Sequence, residues 1–489
     1  MHKITIFYLL SSLIFALSED LPLLLVISFD GFGPNYLDRG ITPNLKKLYS
    51  AGTHAPYLRN VFPTKTFPNH HSIATGLYPA EHGVLGAEIY DLDLGKLKYG
   101  PELFEFNKEI APIWTWNEMS NGKSGCMMWP GTDFSYGENQ VNCSFVEKFN
   151  VSHPGPWDER VEKAVEWFSA GANLVMLYIE EPDHHGHIYG VDDAQNDILR
   201  HLDNFTMFLE TKLKKAELWD KMNVILLSDH GMIDTTPSKF INISQFLPAH
   251  KEKIYGNSPV LQISPTTAEV DDIYKRLLNA SEIEGNSFKV YRNRELPERW
   301  HYRNERRTGP ITIVAEPGYA FADDMKSAID WYKKEYNITV NNSTTFGIHG
   351  YDNALREMNS LFMAWGPAIK KSYKVPPFDT VDLFHLFCEI LKIKPPKNPE
   401  ISGNRDNILD ILIENSNQYG QISGFIIALA SLSLAFCFVA AIFYVLVVVR
   451  RRREAQTVPD FIYDEPEHTE EQKLLEIGFG SNEKMNVEG

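Results

Sequence analysis

A threonine, Thr66, lies between a cation, Lys65, and an aromatic ring, Phe67, in the segment V-F-P-T-K-T-F-P-N-H, residues 61–70. A proline on each side stiffens this approach, because a proline fixes its own φ and restricts the residue before it. A hydroxyl presented by such a rigid turn can serve as a nucleophile when a base or a metal ion activates it. A helix is expected to follow over residues 70–76, and a threonine here could equally cap that helix.

Acidic and imidazole side chains at the ends of apolar, strand-like runs supply the second half of this chemistry. They are Asp30, Asp183, His187, Asp229, His230 and His349. Carboxylate oxygens and imidazole nitrogens are ligands of catalytic zinc, and a metal ion can activate a hydroxyl nucleophile. A single aspartate or histidine at a strand end is more often a cap or a core hydrogen-bonding group. The indication therefore comes from the whole set.

Three apolar runs, residues 21–30, 173–183 and 223–229, predict strands that are buried on both faces of a parallel sheet. Each run ends in an aspartate, and open α/β sheets bind ligands at the carboxyl ends of their strands. Helical patterns alternate with these runs, which predicts a doubly wound, mostly parallel sheet. His187 follows Asp183 by four residues, so both side chains would face one ion if the chain coils there.

Five motifs occur in order along the chain: T-K-T-F-P-N-H, G-L-Y-P followed by H-G, E-P-D-x-x-G-H, S-D-H-G-M and H-G-Y-D-N. Together they resemble the ecto-nucleotide pyrophosphatase/phosphodiesterase family, over residues 21 to about 394. The chain length and the C-terminal anchor resemble the single-domain, membrane-anchored branch of that family. The resemblance implies an alkaline-phosphatase-like α/β core with an inserted cap, which we expect at about residues 257–342.

The resemblance also implies a catalytic site with two zinc ions. Asp30, Thr66, Asp229 and His230 would surround one ion, and Asp183, His187 and His349 would hold the other. Two such ions, about 4 Å apart, can clamp a phosphoryl group and stabilise the entering and leaving oxygens. Thr66 would attack phosphorus and form a covalent intermediate, and Phe67 would stack on a nucleobase.

One position departs from the family pattern. After His82 and Gly83 the family usually carries an asparagine that helps to hold a phosphate oxygen, and here that position is Ala87, in H-G-V-L-G-A-E. Alanine has no side-chain donor. This substitution concerns the rate or the choice of substrate and leaves the predicted metal ligands unchanged.

Three classes of function are compatible with these residues. The first is an enzyme that cleaves pyrophosphate or phosphodiester bonds of nucleotides, which we favour. The second keeps the same chemistry but takes a choline-type lipid phosphodiester, and the third is a weakly active or inactive cell-surface receptor or adhesion protein. The chain has 47 Lys and Arg against 64 Asp and Glu, a net charge of −17, which disfavours binding to a nucleic-acid polymer. Its oligomeric state is not indicated.

The two ends of the chain predict a secreted domain held by one membrane span. Residues 1–18 have the basic start, apolar run and small-residue cleavage site of a signal peptide. Residues 19–395 are then the phosphodiesterase domain, residues 396–421 a stalk, and residues 422–449 a transmembrane helix. Four arginines follow this helix, so we expect the tail, residues 450–489, to be cytoplasmic and the catalytic domain extracellular.

Glycosylation sequons and cysteines agree with this topology. The sequons begin at Asn142, Asn150, Asn204, Asn242, Asn279, Asn337, Asn341 and Asn342, all before the apolar segment. Of the 4 cysteines, Cys437 lies within that segment and Cys388 lies on an apolar helical pattern. Cys126 and Cys143 are therefore the expected disulfide pair, closing a short loop.

Overall fold

The computed structural model describes residues 21–152, 154–247, 254–285, 287–413 and 418–455, with side chains from 429 to 454 in the last range. Residues up to 413 belong to one compact unit, and residues 418–455 belong to a second unit. The predicted signal peptide and the tail beyond residue 455 lie outside the described residues.

The helices and strands are numbered in chain order. The helices are α1 (Pro43–Ala51), α2 (Thr66–Thr75), α3 (Pro79–His82), α4 (Pro101–Phe104), α5 (Ile113–Met119), α6 (Trp157–Ser169), α7 (Asp183–Tyr189), α8 (Asn196–Lys215), α9 (Val270–Ile283), α10 (Ala322–Tyr336), α11 (Leu383–Leu391), α12 (Asp406–Leu409) and α13 (Gln418–Ala455). The strands are β1 (Leu23–Phe29), β2 (Thr53–His54), β3 (Leu58–Arg59), β4 (Ile89–Asp91), β5 (Gly95–Leu97), β6 (Ser124–Met127), β7 (Phe145–Glu147), β8 (Leu174–Ile179), β9 (Met222–Leu227), β10 (Ile233–Thr235), β11 (Phe240–Ile241), β12 (Ile254–Asn257), β13 (Val260–Ile263), β14 (Phe288–Arg292), β15 (Ile311–Ala315), β16 (Ala320–Phe321), β17 (Phe346–Ile348), β18 (Phe362–Trp365), β19 (Tyr373–Lys374) and β20 (Phe378–Asp379).

The main sheet is mostly parallel, as predicted. Within the described residues it has eight strands in the order β19-β2-β18-β9-β1-β8-β6-β7. Strand β1 is parallel to β8 on one side and to β9 on the other. Strand β18 is antiparallel to β9 and to β2, and the remaining pairings are parallel.

Both faces of the main sheet are covered, which confirms the doubly wound architecture. Successive side chains of a strand point to opposite faces, so Leu24 and Val26 enter one core while Leu25 and Ile27 enter the other. Helices α2, α5 and α11 cover the first face, and helices α1, α6 and α8 cover the second. The central strands are consequently apolar throughout, which is why they read as unbroken hydrophobic runs.

A separate antiparallel sheet lies in the segment that we expected as a cap. Its strands follow the order β12-β13-β15-β14, and helices α9 and α10 pack against the third hydrophobic core, to which this sheet contributes. Strand β12 begins at Ile254, three residues before the expected start of the insertion. The segment belongs to the same compact unit as the main sheet.

The segment around Thr66 corrects one local prediction. Helix α2 begins at Thr66 itself rather than near residue 70, with Lys65 as an extended N-cap at φ −124° and ψ 157°. The amide of Asn69 donates to the carbonyl oxygen of Lys65 at 3.1 Å and closes the first turn. Pro68 occupies the third helical position, where its missing N–H costs the helix nothing. Pro68 is therefore compatible with a helix that begins at Thr66.

The expected disulfide is present and joins Cys126 to Cys143 with a Cα–Cα distance of 6.2 Å. Cys388 is buried and forms no disulfide among the described residues, as predicted.

Helix α13 contains the apolar segment near the C-terminus. Residues 429–454 of this helix have a mean hydropathy of 2.8 in their most apolar window, and the side chains in that window are exposed. Among the described residues this is the one helix that is long and apolar enough to cross a membrane. The helix extends past the predicted span of 422–449 and includes the four arginines at 450–453.

Candidate metal centre and nucleophile

The register of the main sheet brings Asp30 and Asp229 together. Ser28 is paired with Leu227, and each aspartate lies two residues beyond that pair. The Asp229 carboxylate accepts the amide of Gly31 at 3.1 Å. Nε2 of His230 lies 3.2 Å from a carboxylate oxygen of Asp30 and 3.1 Å from one of Asp229. These three side chains form a compact group that could hold a metal ion.

A second such group adjoins the first and consists of Asp183, His230 and His349. Nε2 of His349 lies 3.5 Å from an oxygen of Asp183. The predicted coil after β8 is helix α7, and it brings Nε2 of His187 within 3.3 Å of the other Asp183 oxygen. His230 is common to both groups, and its ring stacks on that of His349 with a centroid distance of 3.6 Å.

The three imidazoles are held in one tautomer. In His187, His230 and His349, Nδ1 lies 2.9, 3.0 and 2.9 Å from a backbone carbonyl oxygen. A carbonyl oxygen can only accept, so each Nδ1 carries a proton and Nε2 is left as the nitrogen that can bind a metal ion. Nε2 faces the carboxylates, which is the arrangement of a metal-ligating histidine whose other nitrogen is fixed by the backbone.

The carboxylates of this centre are only partly hydrogen-bonded. One buried oxygen each of Asp30, Asp183 and Asp229 has no hydrogen bond among the described residues. Burial, followed by the charges of Asp229 and Asp183, raises the pKa of the Asp30 carboxyl well above its ordinary value. Clustered anions in a dry site are costly unless a cation neutralises them. The donor set and the orphaned oxygens fit divalent metal ions.

Thr66 lies directly beside these groups. Its hydroxyl oxygen is 3.4 Å from Nε2 of His230. The backbone carbonyl of Thr66 accepts Nδ1–H of His70 at 2.8 Å, and Nε2 of His70 lies 2.9 Å from the hydroxyl of Ser28. Because Thr66 opens helix α2, the free amides and the positive end of the helix dipole favour negative charge at this point.

Residues 24–352 match the family model described as type I phosphodiesterase / nucleotide pyrophosphatase. The protein belongs to this phosphodiesterase family. It is therefore a hydrolase of the nucleotide pyrophosphatase/phosphodiesterase class, as the five sequence motifs predicted.

Relatives in the phosphodiesterase family match along most of their length. The bis(5'-adenosyl)-triphosphatase enpp4 of Xenopus laevis is 34% identical, over 84% of this chain and 87% of that protein. Human ectonucleotide pyrophosphatase/phosphodiesterase family member 5 is 33% identical, over 81% of this chain and 80% of that protein. The solved structure of murine ectonucleotide pyrophosphatase/phosphodiesterase 5, an inactive threonine-to-alanine variant in complex with AMP, has a TM-score of 0.71 at 32% identity and covers 80% of this chain and 100% of its own.

The ring of Phe67 packs against three other aromatic rings beside Thr66. Its ring centroid lies 5.4 Å from that of Tyr99, 5.7 Å from that of Phe104 and 5.5 Å from that of Phe149. Phe67 is half-buried in this aromatic cluster. Sequence reasoning identified Phe67 and missed its neighbours, because they are scattered along the chain without any periodic signal.

Tyr178 is a second group that the sequence did not reveal. Its hydroxyl donates to Asp30 at 2.5 Å. Burial, together with the charge of Asp30, raises the pKa of the Tyr178 hydroxyl well above its ordinary value, so it remains protonated and a donor. The pairing of the strands explains this contact, because Tyr178 lies opposite Ser28 of β1, two residues before Asp30.

Ala87 is exposed in the loop between α3 and β4. Its methyl group has no donor to offer. The next residue, Glu88, pairs with Lys96 at 2.6 Å and with Lys98 at 3.3 Å, both on or beside the β4–β5 hairpin. The carboxylate of Glu88 is therefore already engaged with cations.

Proposed function

We propose that the protein is a zinc-dependent ecto-enzyme that cleaves pyrophosphate or phosphodiester bonds of nucleotides through a covalent intermediate on Thr66. The observation that carries this proposal is the position of the Thr66 hydroxyl. It lies 3.4 Å from Nε2 of His230, the histidine that belongs to both candidate metal-binding groups.

The residues that would hold the two zinc ions are those predicted from the sequence. Asp30, Thr66, Asp229 and His230 would bind one ion, and Asp183, His187 and His349 would bind the other. Nitrogen and oxygen donors without a thiolate suit catalytic zinc. Bound zinc would supply Lewis-acid stabilisation of phosphoryl charge and lower the pKa of a coordinated hydroxyl.

The contribution of the chain itself begins with the orientation of Thr66. His70 fixes the backbone at this residue, and the first turn of α2 directs Oγ1 toward His230. In the proposed reaction Oγ1 loses its proton, which ends on the leaving oxygen, as the bond from Oγ1 to phosphorus forms and the bond from phosphorus to the leaving oxygen breaks. Water then attacks phosphorus in the resulting nucleotidyl- or phosphoryl-threonine, breaks its bond to Oγ1, gives a proton to Oγ1 and releases the nucleotide or phosphate product. The amide of Phe67, in the first turn of α2, can donate to a phosphoryl oxygen as charge develops.

The aromatic cluster around Phe67 offers a surface for a nucleobase, and a base that stacks on an aromatic ring gains about 1–3 kcal/mol. Aromatic rings also attract the quaternary ammonium group of choline, so the cluster alone does not separate the two substrates. The relatives favour the nucleotide, because one of them is named a bis(5'-adenosyl)-triphosphatase and another was solved with AMP. We therefore place the nucleoside at Phe67 and its phosphate at Thr66.

A substrate panel on the purified full-length protein in detergent tests this proposal. A nucleotide phosphodiester, a nucleoside triphosphate, a dinucleoside polyphosphate and a phosphocholine ester would be compared with and without added zinc. We expect zinc-dependent release of a nucleoside monophosphate from at least one nucleotide and little turnover of the phosphocholine ester. Preference for the phosphocholine ester would support the lipid enzyme, and the absence of turnover on all four would support the inactive receptor.

The Ala87→Asn substitution is expected to raise kcat on a nucleotide phosphodiester about tenfold. A donor aimed at the phosphoryl oxygens stabilises the transition state more than the ground state, and one such donor is worth about 10²–10³ in kcat elsewhere. We expect a smaller gain here because the zinc ions and the amide of Phe67 would already stabilise part of that charge. The matched control is Ala87→Asp, which has the same shape but no donor and should not raise kcat. An unchanged kcat in a folded Ala87→Asn protein would contradict the expectation.

We further propose that helix α13 is a single membrane span with the catalytic domain outside the cell. The asparagines of the sequons are exposed, apart from the half-buried Asn142, so they are accessible to glycosylation. The arginines at 450–453 directly after the apolar segment favour the cytoplasmic side.

A tag placed after Gly489 is accordingly expected to stain only permeabilised cells. The reason is that the basic cluster keeps the tail in the cytoplasm. A second tag placed after Asp20 serves as the control and should stain intact cells. Staining of the C-terminal tag on intact cells would reverse the proposed topology.

A further inference from the structure

Three consecutive residues, Thr64, Lys65 and Thr66, reach three different parts of the molecule. Thr66 contacts His230 of the metal centre. The carbonyl oxygen of Thr64 accepts Nδ1–H of His349 at 2.9 Å. The hydroxyl of Thr64 accepts the amide of Gly350 at 3.0 Å and donates to the carbonyl of Tyr351 at 3.0 Å. The orientation of His349 therefore depends on the backbone immediately before the nucleophile.

The side chain of Lys65 reaches the inserted segment. Its ammonium group donates to the carbonyl oxygen of Ser258 at 2.8 Å. Its aliphatic stem packs beside Gly350, where an added Cβ would lie 2.8 Å from Cε of Lys65 and 2.8 Å from Cδ of Pro259. Gly350 has φ +116°, a conformation that side chains rarely adopt. Lys65 and Pro259 thus both pack against the backbone of Gly350, next to His349.

Ser258 is itself anchored to helix α10. Its amide donates to a carboxylate oxygen of Asp324 at 2.9 Å, and its hydroxyl accepts the amide of Phe321 at 2.8 Å. Asn257 donates to the other Asp324 oxygen at 3.3 Å. The acceptor of Lys65 is therefore a fixed point of the inserted segment.

We propose that Lys65 is a positioning residue that couples the docking of the inserted segment to the orientation of Thr66 and His349. This inference rests on the proposed function, since it assigns Thr66 the role of nucleophile. Lys65 is flanked by Thr64 and Thr66 and cannot shift without moving them. An ammonium group that donates to a fixed carbonyl restrains all three residues at once. Small displacements of a nucleophile from its productive position have large effects on rate.

The Lys65→Met substitution tests this role, because methionine keeps the apolar stem and removes the donor. We expect kcat on a nucleotide ester to fall about tenfold, with KM changed less than threefold. Lys65→Arg keeps a donor and should recover kcat to within threefold of the natural protein. Lys370→Met is the matched control, since Lys370 pairs only loosely with Asp410 at 3.9 Å and has no contact with the metal centre. It should leave kcat unchanged.

Hydrogen exchange gives a second measurement that does not depend on turnover. In Lys65→Met the amides of Ser258 and Gly350 should exchange about tenfold faster, while the amides of strands β1 and β9 keep their rates. Asp324→Asn weakens the anchor of Ser258 while Lys65 keeps its ammonium group, so it should reproduce the same pattern and a similar loss of kcat. If Lys65→Met does not fold, the Asp324→Asn variant still tests the coupling between the inserted segment and His349.

Three results would overturn the inference. A higher KM with unchanged kcat would make Lys65 a substrate-binding residue. A lower melting temperature with unchanged kcat would make its role purely structural. Faster exchange at Ser258 alone would show that the inserted segment and His349 are not coupled. If the natural protein hydrolyses none of the panel substrates, the proposed function fails, whereas the exchange measurement still decides the coupling.

Discussion

Thr66→Ala is expected to abolish turnover while zinc remains bound. The substitution removes the hydroxyl of Thr66, which lies at the positive end of helix α2 and beside His230. Loss of an enzyme's nucleophile costs on the order of 10⁴-fold or more in kcat. The other proposed ligands stay in place, because they are positioned by the main sheet, by α7 and by the backbone after β17. Steady-state kinetics and metal analysis of the purified variant would measure both effects.

Thr66→Ser provides the matched control for this substitution. Serine keeps the hydroxyl and removes only the methyl group, so a measurable fraction of kcat should survive. Wild-type turnover in the alanine variant would contradict the covalent mechanism. Loss of zinc together with turnover would instead show that Thr66 is needed mainly as a ligand.

Removal of the metal is expected to lower the melting temperature by about 5 °C. Oxygens of Asp30, Asp183 and Asp229 that have no hydrogen-bond donor would then lie close together without a cation. A ligand present at 1,000 times its dissociation constant stabilises a folded protein by about 4 kcal/mol. For a domain of more than about 250 residues each kcal/mol corresponds to roughly 1–2 °C. Differential scanning calorimetry with and without a chelator would measure the change.

Zinc added back in excess of the chelator is the control and should restore the melting temperature. An unchanged melting temperature after verified removal of the metal would mean that the site does not stabilise the fold. The carboxylates would then be compensated by the neighbouring imidazoles, which lie 3.1–3.5 Å away, and by a proton on Asp30, whose pKa is raised by burial.

The aspartates of the centre could be predicted because they obey a local rule. Asp30, Asp183 and Asp229 follow the three central strands, and parallel strands bring their carboxyl ends to one edge of the sheet. The pairing of Ser28 with Leu227 then sets Asp30 and Asp229 at the same level. His187 obeyed a second local rule, since residues four apart on helix α7 share a face. Apolar runs and spacing predicted that these residues lie at one edge of the sheet, whereas the family resemblance supplied their grouping around two metal ions.

The remaining parts of the centre depend on contacts between distant segments. His349 follows β17, which pairs with β10 outside the main sheet, so the register of the main sheet does not place it. The aromatic rings of Tyr99 and Phe149 reach Phe67 from separate loops, and the bond from Lys65 to Ser258 joins residues 193 positions apart. Periodicity describes which face of an element is buried, but it does not say which other segment covers that face. Such pairs become visible only when the chain is folded.

The disulfide between Cys126 and Cys143 has a consequence for the unfolded chain. It closes a loop with a sequence separation of 17, and this loop carries Trp129, whose ring packs on His70 at 4.8 Å. In the chain-entropy description, a cross-link that closes a loop of this length raises the free energy of the denatured ensemble by about 3 kcal/mol. His70 in turn holds the carbonyl of Thr66. The cross-link therefore favours the folded arrangement of the segment behind Thr66 by destabilising the unfolded chain, and a chain made in a reducing compartment would lack that advantage.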